Sequence, residues 1–229
     1  MRAAKFIFFA GIFLAAVSPG EAVEKGQSGL GFFGSSHIPL FKFGEWYAVS
    51  PKVGLNYNYM VTPSTIAEIE YHYSNMSGGD LDMRTFTWSI DDQEYKSANV
   101  SQSMRFHSVM ASAQVHTREV GSGGLVPYVT GGLGVYGFSN EISGLIYPGQ
   151  TGKTLDQNLK LDPYKDEWPA LTFSVGGGVT FAGSERILID IRCRYNMMLG
   201  ELRPLEDWGL RKAFPIQAID LSVGIKYFW

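Results

Sequence analysis

The sequence predicts an all-β protein: an eight-stranded antiparallel up-and-down transmembrane β-barrel with short turns at one end and long loops at the other. Three observations carry this. Apolar residues recur at every second position along most of the 229-residue chain, the period of strands with two unlike faces. The connections between those stretches alternate between short and long, as they do in barrels that span a membrane. Aromatic residues gather near both ends of the apolar faces, where a bilayer places amphipathic rings.

The chain opens on an address. Arg2 and Lys5 flank the start, and Phe6–Val17 is an uncharged apolar run. Such a run spans ~18 Å as a helix, too short for a ~30 Å hydrocarbon core. Residues 1–22 therefore read as a secretory signal peptide, cut after Ala22, with Gly20 and Ala22 as the small residues at the cleavage site. Residues 23–229 read as the barrel domain. No cysteine lies near the cut to carry a lipid. Taking Arg2, Lys5 and Glu21 from 19 basic and 22 acidic residues leaves 17 and 21, a net charge of −4. That balance and a pI near 5.8 give no footprint for nucleic acid. Cys193 is the single cysteine, which excludes a disulfide scaffold and fits export from the reducing cytosol.

The strands follow in order. Gly29–Leu40 is the first, its alternation diluted by glycine. Val53, Leu55, Tyr57 and Tyr59 then alternate with Lys52, Gly54, Asn56 and Asn58. Ala67, Ile69, Tyr71 and Tyr73 oppose Glu68, Glu70, His72 and Ser74. Met104–Thr117 and Leu125–Phe138 are weaker fourth and fifth strands. Leu171, Phe173, Val175 and Val179 alternate with Thr172, Ser174, Gly176, Gly178 and Thr180. Ile187, Ile189, Ile191, Cys193, Tyr195 and Met197 oppose Leu188, Asp190, Arg192, Arg194, Asn196 and Met198. The last strand sets Ile219, Leu221, Val223, Ile225, Tyr227 and Trp229 against Asp220, Ser222, Gly224, Lys226 and Phe228.

Short turns are expected at Thr62–Ser64, Arg118–Gly124 and Ala182–Arg186, and long loops at Phe41–Ala48, Ser77–Ser103, Ser139–Pro169 and Gly200–Pro215. In a soluble β-sandwich, Asp190, Arg192 and Arg194 would face water and the isoleucine stripe a core. In a membrane barrel the stripe meets lipid and the charges turn inward. The aromatic residues decide for the barrel. Tyr57, Tyr59, Phe181, Tyr227 and Trp229 fall near the short-turn ends, and Tyr71, Tyr73 and Tyr195 near the long-loop ends.

The closing Val223-Gly224-Ile225-Lys226-Tyr227-Phe228-Trp229 resembles the assembly signal of bacterial outer-membrane barrels, with Trp229 where Phe is usual. Pro127–Val135 and Asp190–Tyr195 resemble strands of the small barrels of the opacity-protein and outer-membrane-protein-A-like group. The resemblance implies a bacterial outer-membrane location, and Tyr227 and Trp229 as an assembly signal read by the barrel-assembly machinery. A monomer among outer-membrane lipids is expected; the sequence departs from the group in offering no segment after the barrel, so no peptidoglycan-binding domain is expected to follow.

An eight-stranded barrel is just wide enough for side chains to fill it. Four acids (Glu68, Glu70, Asp190, Asp220) and four bases (Lys52, Arg192, Arg194, Lys226) point inward, a balance that suits ion pairs better than a selective pore. Arg192 and Arg194 on the seventh strand stand opposite Glu68 and Glu70 on the third. Unpaired buried charges cost several kcal/mol, so the interior reads as a charge-paired plug, with a narrow pore as the alternative.

Function then falls to the loops, as structural or surface-binding elements for a protein or glycan ligand. Thr85–Ile90 and Glu94–Val100 flank Asp91-Asp92 as strand-like runs, which would extend the third and fourth strands as a hairpin. The third loop sets Leu145, Ile146, Tyr147 and Trp168 among polar residues; exposed aromatic residues of that kind suit protein or glycan contact, and packing within a solvated loop is the commoner alternative.

Enzyme chemistry finds little support. Gly152-Lys153-Thr154 lacks the first Gly and the strand–loop–helix setting of a phosphate loop. Asp80, Asp82, Asp91, Asp92 and Glu94 lack calcium-loop spacing, and His37, His72, His107 and His116 lack metal-ligand spacing. No cofactor is expected. His72-Tyr73-Ser74-Asn75 resembles the active-site motif of outer-membrane lipid A deacylases, which implies His72 as base and Ser74 as nucleophile. Here the motif lies on the third strand rather than the seventh, Phe86 stands where that family has its glutamate, and both side chains are expected inside. The non-enzymatic reading is the one the residues favour.

Overall fold

The computed structural model describes residues 23–229; the expected signal peptide lies outside the described residues. Among the described residues ten strands form: β1 (Ser28–Pro39), β2 (Ser50–Thr62), β3 (Thr65–Ser77), β4 (Thr85–Trp88), β5 (Gln93–Lys96), β6 (Ser101–His116), β7 (Val126–Ser143), β8 (Tyr164–Ser184), β9 (Ile187–Met198) and β10 (Ile216–Phe228). Eight of them close into one antiparallel barrel in the order β1-β10-β9-β8-β7-β6-β3-β2, and β4 pairs only with β5. Closure joins the first strand to the last, with Gly29 opposite Phe228 and the Trp229 N–H donated to the Ser28 carbonyl at 2.9 Å.

Register fixes the barrel's girth. Partners followed once round from Pro39 run through Ala218, Asn196, Ser174, Gly132, Ser112, Glu68 and Asn58 to Gly29. The path returns ten residues lower on β1, a stagger that tilts the strands and sets the diameter of a narrow barrel.

The period-two pattern becomes an inverted protein. Leu30, Phe32, Leu55, Ile69, Val109, Val129, Leu133, Val175 and Ile225 are exposed on the outer face, while Lys52, Glu70, Arg194 and Asp220 are buried inside. Water would drive that arrangement inside out; hydrocarbon stabilises it, because the closed ladder leaves no backbone edge unpaired in lipid. Two inward glycines make room for the filling. A Cβ on Gly176 would sit 2.9 Å from Arg194 Cγ, and one on Gly178 2.6 Å from the Tyr128 hydroxyl oxygen.

Two expectations need correction. The third long loop is shorter than the sequence suggests, because β7 runs on to Ser143 and β8 begins at Tyr164. Their upper parts stay hydrogen-bonded, from Gly137 opposite Pro169 to Ile142 opposite Tyr164. The apolar alternation stops at this height, so the polar upper strands carry no period-two signal in the sequence. The acidic second loop does carry a hairpin, but β4 and β5 form a separate two-stranded sheet instead of prolonging β3 and β6. Gly78, at φ +79°, turns the chain away just beyond β3.

Candidate functional site

The barrel interior is built from alternate residues of all eight walls, and its charges fall into three tiers. Nearest the short-turn end, Arg192 Nη2 lies 2.5 Å from Asp190 Oδ2 and its Nη1 3.1 Å from Glu68 Oε2. Lys226 Nζ completes this tier, 2.5 Å from Glu68 Oε1 and 3.3 Å from Asp190 Oδ2. Tyr128 donates its hydroxyl to Asp190 and accepts from Arg192 Nε at 3.1 Å.

In the middle tier Glu70 is the hub. It accepts Arg194 Nη1 at 2.6 Å and the Ser112 hydroxyl at 2.7 Å, with His72 Nε2 at 3.0 Å and Arg192 Nη1 at 3.4 Å. In the upper tier Asp220 takes Lys52 Nζ at 2.5 Å, His37 Nδ1 at 2.6 Å and Asn196 Nδ2 at 2.9 Å. Lys52 also donates to the Tyr136 hydroxyl at 3.1 Å. The structure thus brings together the four acids and four bases picked from the sequence. Sequence reasoning missed Tyr128, Tyr136, Ser112, Asn196, and His37 as a partner of Asp220. Their inward parity was legible, but nothing in a single strand says which side chain reaches which across a lumen.

Apolar clusters stand above and below these tiers. At the short-turn end Val23, Met60, Ile66, Val120, Leu188 and Phe228 pack together. At the long-loop end the loops fold into a dome on the strand ends, with Trp46, Phe86, Trp88, Leu202 and Trp208 buried over Met76, Met104, Phe106, Met198 and Ile216. Polar contacts tie the loops to one another. Trp46 Nε1 donates to the Arg211 carbonyl at 3.0 Å, Trp88 Nε1 to the Gln150 carbonyl at 3.0 Å, and Arg84 Nη1 to the Trp208 carbonyl at 3.3 Å. Burial in this dome pushes the Tyr47 hydroxyl well above the usual phenol range.

Leu145 and Ile146 are buried in the dome, the loop-packing alternative, because the third loop folds back over the mouth. Tyr147 and Trp168 are exposed, and Trp168 belongs to β8 rather than to the loop.

His72 and Ser74 both face the lumen and are buried. They do not form a dyad. His72 Nε2 is taken by Glu70 at 3.0 Å, and Ser74 Oγ donates to the Pro51 carbonyl at 2.9 Å. Phe86 is packed inside the dome. Among the described residues no group of three or more His, Cys, Asp or Glu is placed to hold a metal ion.

No protein-family model matches this chain, and no curated protein matches it. Solved structures do. Neisserial surface protein A (NspA) is 13% identical, with 87% of this chain covering 96% of that one at a TM-score of 0.52. A major outer membrane protein from Thermus thermophilus is 7% identical, with 88% covering 99% at 0.52. The attachment invasion locus protein Ail of Yersinia pestis, in complex with the heparin analogue sucrose octasulfate, is 12% identical, with 90% covering 99% at 0.51. The likeness is one of fold, and it defines the class: a closed eight-stranded antiparallel barrel of the outer-membrane type. The small barrels of the opacity-protein group fit it.

Proposed function

We propose that this chain is a non-enzymatic barrel of the bacterial outer membrane, with a plugged, charge-paired lumen and a loop dome that serves as a structural or surface-binding element. The observation that supports this reading is the layering of the interior. Three tiers of paired charge stand between two apolar clusters, an arrangement that supports a closed interior. A rigid scaffold with a closed interior has its variable chemistry in the loops. Residues 78–100 carry five acids against two bases, so charge favours a protein or an uncharged glycan over a sulfated polyanion. Tyr227 and Trp229 serve assembly on this reading, and the barrel acts as a monomer among outer-membrane lipids.

The test is electrical. Full-length protein reconstituted in planar bilayers is expected to give no steady channels, while cells displaying it bind their ligand through the dome. Large, steady conductance steps overturn the plug.

A further inference from the structure

On the outer wall of β6, β7 and β8 the chemistry changes over a single pleat. Val109, Val135 and Leu171 are partnered across the three strands and exposed. One step up the next outward row is His107, Gly137 and Pro169; above it come Arg105, Ser139 and Glu167, then Ser103, Glu141 and Lys165. His107 marks the upper aromatic girdle. Its Nδ1 lies 2.8 Å from the Tyr71 hydroxyl, and its ring centroid is 5.0 Å from that of Tyr73. Two residues along a strand advance ~7 Å, so Arg105 stands at the height where a bilayer gives way to headgroups.

A groove of about 510 Å³ opens at that height. Its floor is Gly137, where a Cβ would meet nothing nearer than the His107 carbonyl oxygen at 3.9 Å. Arg105 and His107 form one side and Glu167 the other.

The charges are held facing outward by one another. Arg105 Nη2 touches Glu141 Oε1 at only 3.4 Å, and its other N–H groups have no partner among the described residues. Lys165 Nζ lies 2.7 Å from Glu167 Oε1, and Ser139 donates to Glu167 at 2.8 Å. A guanidinium with free donors fits a phosphate. The carboxylate and the hydroxyl fit sugar hydroxyls. A groove meant only for anions would not carry two acids.

We infer that this groove binds the phosphorylated sugar headgroup of an outer-leaflet glycolipid, with the phosphate on Arg105 and the acyl chains running down Val109, Val135 and Leu171. The inference rests on the outer-membrane reading above.

The experiment uses full-length protein in phosphatidylcholine nanodiscs. These are doped with a phosphorylated diglucosamine lipid, with its dephosphorylated form, or with phosphatidylglycerol, and retained lipid is counted by native mass spectrometry. The phosphorylated glycolipid is expected to be enriched about tenfold over either comparison, near 1.4 kcal/mol. Arg105→Gln and Gly137→Leu, the second filling the groove without touching the barrel, both return it to the bulk level. Arg186→Gln, at the opposite end, leaves enrichment intact. Equal retention of phosphatidylglycerol or of the dephosphorylated lipid overturns the inference, as does enrichment that survives Gly137→Leu. A heat-modifiable, inserted protein without lipid preference defeats this inference alone; failure to insert in any disc defeats the outer-membrane reading with it.

Discussion

Arg194 reaches across the whole barrel to Glu70: its Nη1 lies 2.6 Å from Glu70 Oε1, though the two belong to opposite walls. In the closed order, β9 and β3 are separated by four steps in either direction. A pair that spans a diameter couples strands that share no ladder, so closure and interior charge depend on each other.

Arg194→Met should therefore leave Glu70 with a hydroxyl, an imidazole and only the more distant Arg192. Removing one partner of a buried pair costs about 3–5 kcal/mol. The denaturant midpoint in detergent micelles should fall accordingly. The double change Arg194→Met with Glu70→Gln should recover part of the loss, because no uncompensated carboxylate then remains. An unchanged midpoint for the single variant would mean that water, not Arg194, neutralises Glu70.

Trp46 tests the dome. It is fully buried, donates to the Arg211 carbonyl, and accepts Gln102 Nε2 on its own carbonyl at 2.9 Å. Trp46→Ala should cost about 3–5 kcal/mol of local packing. Limited proteolysis should then cut faster within residues 199–215, while the barrel keeps its heat-modifiable migration. Equal cleavage rates would show that the loops are held by their strand ends alone.

The barrel was legible because lipid imposes a period of two on every strand that meets it, and β9 and β10 show this over their full length. Parity also told inside from outside, which is why Lys52, Glu68 and Asp220 could be picked as interior charges. It says nothing about structure above the membrane. There Ser139, Asn140 and Glu141 continue β7 without an apolar stripe, and Leu145, Ile146 and Trp208 are buried by contacts between loops distant in sequence. Glu167 was visible as a charged residue, but the groove beside it is made by Gly137 on a neighbouring strand and by Arg105 beyond it.

The chemistry of His72 and Ser74 can be put to direct test. Ser74 already donates to the Pro51 carbonyl, and His72 is turned to Glu70, so neither activates the other. Lipid A mass spectra of cells that produce the protein should match those of cells without the gene, and Ser74→Ala should change nothing. A missing acyl chain restored by Ser74→Ala would establish a hydrolase.

Trp229 offers the last prediction. Its indole stacks on Tyr227, with centroids 6.3 Å apart and planes at 27°, and both rings are exposed on the outer face at the short-turn end. Aromatic rings at that level anchor a barrel to the interface. Its backbone N–H makes the last hydrogen bond of the seam, to the Ser28 carbonyl. Deleting Trp229 removes the ring and that bond together, whereas Trp229→Phe keeps the bond and an apolar ring. The deletion should slow insertion and leave unfolded chain in the periplasm, and Trp229→Phe should insert nearly as well as the parent. Trp229→Ala separates the two contributions, because it restores the seam bond without a ring. If Trp229→Ala inserts like the parent while the deletion does not, the seam matters and the ring does not. If both fail alike, the ring is what assembly reads. Insertion and heat-modifiability that survive all three changes would remove Trp229 from assembly.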